Sequence, residues 1–293
     1  MSERVDKSWH TKGLETYSLE AILGTLQHYG VTCDEAGYLA LAKEDFPLNI
    51  AARWHEQWKG TGQFSRFPAA ASEELWRRLC APQIAPTDVA LALVNLVTDL
   101  DAVAEGKPDE GTLDTRFKVI EAYLPSFPTE PTRREKFVAE LTAAMGEWLE
   151  AFDALPEALV KAKHLELAER VVKLEEAVFP VRSGISTAHL RVLRGEEAAG
   201  LADLVVIAND ASRNDFNRLA AVDALLEHEA LDDAQRVLLA LVDKAQQTKD
   251  VELASGAVEL LTELLHLDVT PQAQQEIRAR VNALAEAFGD GED

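Results

Sequence analysis

The densest run of side chains able to hold a partner lies between residues 54 and 67, where Trp54, His55, Trp58, Phe64, Arg66 and Phe67 crowd together. Aromatic rings and guanidinium groups dominate binding hot spots because each covers a large area with few rotatable bonds. Phe64, Arg66 and Phe67 follow Gly60 and Gly62, so they read as a loop that can present its side chains. Trp54 and Trp58, four residues apart, also read as the buried stripe of a short helix, with Phe64 and Phe67 closing over it. The six residues are expected to form a partner-binding cluster, with the two tryptophans drawn toward the core.

Other chemistry finds less support. His55-Glu56 opens the zinc-protease string, but Lys59 stands where its second histidine belongs. Glu263 and His266 make a single Glu-x-x-His, whereas a di-iron bundle needs two such pairs and two further glutamates. The acidic stretch Asp99, Asp101, Glu105, Asp109 and Glu110 lacks the ligand and glycine spacing of a calcium loop. Gly60-Thr61-Gly62 has no phosphate-loop lysine after it, and the chain holds no Gly-x-Ser-x-Gly nucleophile elbow. Cys33 and Cys80 have no ligand at metal spacing beside them and read as core thiols in a reducing compartment. No metal or cofactor is expected, and no catalytic set is visible; a site assembled from scattered residues stays open as an alternative.

Composition narrows the partners. Of the 29 Lys/Arg and 51 Asp/Glu, residues 1–85 carry 9 and 11, leaving 20 and 40 for residues 86–293. The acidity thus belongs to the later part, and an acidic surface repels the phosphates that supply most non-specific nucleic-acid affinity. A basic protein is the partner such a surface would steer, and no nucleic-acid role is expected. Ten of the 19 aromatic residues, including Trp9 and Trp76, lie in residues 1–85, which marks a distinct module. The start lacks a secretory apolar stretch, and the longest uncharged apolar run, Val89–Thr98, is half the roughly 20 residues of a membrane span, so a cytoplasmic protein is expected.

Helical periodicity dominates and the fold is expected to be all-α. In the first module Leu19, Ile22, Leu23 and Leu26 share a face that stops at Gly30; Thr32 with Glu35 reads as a capping box; Pro47 opens a helix through Trp54 and Trp58; and Ser72 caps the helix of Trp76 and Leu79. A strongly apolar helix, Val89–Val103, follows. Thr132 with Glu135 is a second capping box, for a helix carrying Phe137, Leu141, Ala144, Trp148 and Phe152. Pro156 fits the first turn of a second long helix, continuing to a stop at Pro180 and pairing antiparallel with the first.

Beyond residue 180 a pattern repeats. Leu201, Leu204, Val205 and Ala208 return 37 residues later as Leu238, Leu241, Val242 and Ala245. Ala221, Val222, Asp223 and Leu225 return 36 residues later as Ala257, Val258, Glu259 and Leu261. The rhythm of residues 201–265 resembles HEAT-like α-helical repeats, a resemblance that implies an α-solenoid interaction surface and transfers no catalytic residue. A helical hairpin cannot bury its stripe alone, so the segment Ala188–Leu193 with the preceding helix is expected to flank the stack, and Pro271–Phe288 to cap it. The expected organisation is therefore an aromatic-rich helical module over 1–85, a long-helix region over 86–180, HEAT-like repeats over 181–288 and a disordered tail over 289–293.

These observations point to a non-enzymatic interaction scaffold or adaptor using an acidic helical-repeat surface. Two alternatives remain at this stage: an immunity or inhibitor protein that neutralises a basic toxin or nuclease, and a small-molecule-binding protein or enzyme with its pocket between the first module and the long helices.

Overall fold

A computed structural model describes residues 13–109, 111–267 and 269–288. Trp9, Glu110 and the expected tail 289–293 lie outside them. Among the described residues all regular structure is helical, with fifteen α-helices, three short 3-10 turns and no strand. The chain divides into two compact units between Ala154 and Leu155. Residues 1–85 fall in the first, 181–288 in the second, and 86–180 span the division.

The first unit holds α1 (Leu19–His28), α2 (Glu35–Glu44), α3 (Pro47–His55), α4 (Phe67–Leu79), α5 (Pro86–Ala104), α6 (Leu113–Tyr123) and α7 (Pro131–Met145). The apolar helix read at 89–103 is α5, which buries Val89, Leu93, Leu96, Val97 and Leu100 and packs on α6 and α7. Beside it Phe46 lies 5.4 Å from the rings of both Trp76 and Phe137, with Phe127 4.7 Å from Phe137. Each such ring, once buried, contributes about 1.5–3 kcal/mol of hydrophobic stabilisation.

Helix α7 ties this unit together with two cationic side chains and a carboxyl group. Arg133 donates to the carbonyls of Ala42 (2.8 Å) and Lys43 (2.7 Å), and Lys136 donates to that of Glu44 (2.9 Å), so two cations meet the C-terminus of α2. One turn further along, the buried Glu140 carboxylate accepts from Leu48 N (2.9 Å) and Asn49 N (3.2 Å), the open amides at the N-terminus of α3. The two cations complement the dipole at the end of α2, and the Glu140 carboxyl oxygens satisfy amides that the start of α3 leaves open.

Several helix boundaries differ from those read in the sequence. Asp34, not Thr32, caps α2 by accepting from Gly37 N at 2.7 Å. Glu130, not Thr132, caps α7, because Pro131 takes the first helical position and leaves the amides of Thr132 and Arg133 to the Glu130 carboxylate. Ser72 lies inside α4, buried, with its carbonyl accepting from the Tyr38 hydroxyl at 2.5 Å. Trp58 lies beyond the end of α3, and Trp148 beyond α7, which stops at Gly146 in a positive-φ conformation. The two expected long helices are three shorter ones. Helix α8 (Trp148–Lys161) contains Pro156 in its interior, and α9 (Leu165–Val178) starts after a full turn-off. Lys163 takes φ +66° there, with Lys163 N donating to Val160 O and His164 N to Leu159 O, the paired bonds of a Schellman stop.

The second unit continues with α10 (Ile185–Leu193), α11 (Glu197–Asn209), α12 (Asp215–Glu227), α13 (Leu231–Thr248), α14 (Val251–Leu264) and α15 (Pro271–Phe288). From α9 to α15 each helix packs on the next, and α10 meets α12, α11 meets α13, and α12 meets α14. Leu204 and Leu241 are both fully buried, as are Ala208 and Ala245, Ala221 and Ala257, and Leu225 and Leu261. Ile185 and Ala188 of α10 and Ala273, Ile277 and Leu284 of α15 join the same apolar cluster from its two sides. Gly200 permits the close crossing of α10 and α11, since a Cβ there would stand 2.5 Å from the Val192 side chain and 2.6 Å from the Ala188 carbonyl. No helix among the described residues is long and apolar enough to cross a membrane.

Candidate functional site

The six aromatic and basic residues of 54–67 are brought together, but mostly inward. Trp54 is buried against Tyr38, and Phe64 and Phe67 are buried too. Trp58, half-buried, stacks on Phe67 at 5.8 Å and lies 4.8 Å from Tyr29, and its indole N–H donates to the Phe64 carbonyl at 3.0 Å. Gly60 must be glycine for this fold-over, because a Cβ would come within 2.6 Å of the Trp58 ring. His55 and Arg66 are exposed. The segment is thus a small aromatic core with His55, Arg66 and one edge of Trp58 at its surface.

Several of the other residues singled out by type have structural partners. Asp99 pairs with Arg116 at 2.9 Å, Glu105 with Lys107 at 2.8 Å, and Asp109 accepts from the amides of Gly111 and Thr112. Glu263 and His266 are both exposed. Cys80 is buried and Cys33 half-buried; loss of hydration, helped by Asp34, pushes the Cys33 thiol up to about 11. Among the described residues no three or more His, Cys, Asp or Glu side chains enclose a point fit for a metal ion.

The arrangement that sequence reasoning missed lies in the second unit. Asp223 and Glu227 on α12 and Glu259 and Glu263 on α14 are all exposed and stand 36 residues apart in pairs, so the repeat places them side by side. Asp223 is pushed up to about 6, chiefly by lost hydration, then by repulsion from Glu227, Glu263 and Glu259, against the pull of Arg182. At one edge of this face Glu227 meets two histidines: His189 Nδ1 lies 3.4 Å from Glu227 Oε2 and 3.1 Å from His228 Nε2. The bond to His189 holds the Glu227 carboxyl below its usual range, while partial burial and the neighbouring His189 hold the His228 imidazole below its own.

A signal for half of this face was present. Asp223 and Glu259 sit inside the repeated block, and an acid retained at one outward position of both copies marks a shared surface. The histidine pair left no such signal, because its members are 39 residues apart on unrelated helices.

Acidic residues also line an open cleft of about 430 Å³ formed by Glu229, Asp232, Asp233, Gln235, Val269 and Thr270. The Thr270 hydroxyl oxygen accepts from Ala273 N at 3.2 Å, capping α15. Comparison of the chain with protein-family models, with curated proteins and with solved structures finds no match.

Proposed function

We propose that the protein is a non-enzymatic interaction scaffold whose second unit is a HEAT-like α-solenoid, and that the acidic face of α12 and α14 docks a basic protein. The repeat reading draws on matching full burial at Leu204 and Leu241, Ala208 and Ala245, Ala221 and Ala257, and Leu225 and Leu261, and on packing that runs to the next helix and the one after. One observation carries the docking: the exposed acids Asp223, Glu227, Glu259 and Glu263 share one face, near enough that, after lost hydration, the other three add to the upward push on the Asp223 carboxyl. Like charges held together oppose folding, and a cationic surface placed over them removes that repulsion while steering its own approach.

The test uses the full chain as bait in an extract of its source cell, beside the variant Asp223→Asn/Glu259→Gln/Glu263→Gln. Basic proteins retained by the unaltered chain, released by moderate salt and lost from the variant are the expected result. An identical set on both baits, insensitive to salt, overturns the docking.

A further inference from the structure

We propose that His189 and His228 form a two-imidazole clip for a borderline-soft divalent cation of the zinc class, joining α10 to the end of α12. His189 Nδ1 and His228 Nε2 face each other at 3.1 Å. Two nitrogens bound to one zinc at about 2.0–2.1 Å, with angles between square and tetrahedral, are separated by about 2.9–3.4 Å. The observed gap, spanned by a hydrogen bond in the metal-free pair, matches the edge of such a coordination shell, and a rotation of each ring would turn both lone pairs toward an ion beside it. Both rings are partly exposed, so water reaches the remaining positions.

The surroundings select a cation. Glu227 Oε2 stands 3.4 Å from the same His189 nitrogen, and Glu197 and Asp223 are close enough to act on His228 and Glu227 respectively. These carboxylates raise the local concentration of divalent ions and offset their charge, while imidazole ligands favour zinc-like ions over magnesium or calcium. In the metal-free pair one ring nitrogen donates its hydrogen to the other. On binding, that ring moves the hydrogen to its outer nitrogen through solvent, so both facing lone pairs reach the ion and no net proton is released.

The clip stands independently of the docking reading, and its test leaves the residues altered there untouched. The full chain, stripped by a chelator, is titrated with Zn²⁺ by calorimetry in a non-coordinating buffer, and nitrogen shifts of the histidines are followed by long-range NMR. One equivalent per chain is expected, with shifts at His189 Nδ1 and His228 Nε2. His189→Ala and His228→Gln should each abolish that equivalent while retaining the helical circular dichroism of the parent, Glu227→Gln should weaken it by about tenfold, and His266→Ala should leave it intact. Equal zinc uptake by the parent and both histidine variants overturns the proposal, as does a parent that takes up none at tenfold excess.

Discussion

Glu140 should make the first unit lose stability as the pH rises from about 4.5 through about 7. Its carboxyl is buried, and lost hydration, with some help from Asp45 and Glu73, pushes it up to about 7 despite the two α3 amides that favour the ionised form. A group whose folded value is raised contributes its full share below the unfolded value, near 4.5, and loses it as pH climbs through about 7. The displacement of about 2.5 units, at about 1.4 kcal/mol each, gives roughly 3 kcal/mol between pH 4.5 and pH 9. The assay is urea unfolding by tryptophan fluorescence, which reports this unit because Trp9, Trp54, Trp58, Trp76 and Trp148 all precede residue 155. Other groups titrate over the same range, so the quantity to read is the difference between the parent and Glu140→Gln. That difference should shift by about 3 kcal/mol across the range, the variant gaining on the parent at high pH. Parallel curves for the two proteins would refute the assignment of a proton to Glu140 in the folded state.

The non-glycine helix stops give a second prediction. Lys163 (φ +66°) and Lys249 (φ +55°) hold the left-handed conformation that strains an L side chain by about 1–2 kcal/mol, so glycine at either site should stabilise by about 0.5–1 kcal/mol after its larger unfolded-state entropy is subtracted; thermal unfolding followed at 222 nm measures it, and a fall in midpoint contradicts it. Gly200→Ala should act the other way, by about 1–3 kcal/mol, because the added methyl meets the Ala188 carbonyl and cannot be turned aside; unchanged urea unfolding of the second unit would show that α10 and α11 can part without penalty.

The helical class and the apolar stripes were legible because they are periodic, as in α5 and in the paired rows of α11 and α13. Helix ends were less so. Gly30 marks its stop by residue type, Gly146 is passed over because the apolar spacing runs on to Trp148 and Phe152, and Lys163, Glu229 and Lys249 occupy left-handed stops with no glycine to announce them. Caps failed for two different reasons. Asp34 and Glu130 lay within a few residues of the caps read in their place, whereas the N-terminus of α3 is satisfied by Glu140, over 90 positions away. At the site, the acids on α12 and α14 were half visible through the repeat; the histidine pair depended wholly on how helices pack.

The reach of α7 back to α2 and α3 also governs when the protein can assemble during synthesis. Until the ribosome has released Arg133, Lys136 and Glu140, the ends of the early helices face water and the Phe46 ring lacks Phe137. The leading half of the nascent chain must therefore wait for a long loop to close. The trailing half, in which each helix leans on those just made, can grow turn by turn as it emerges.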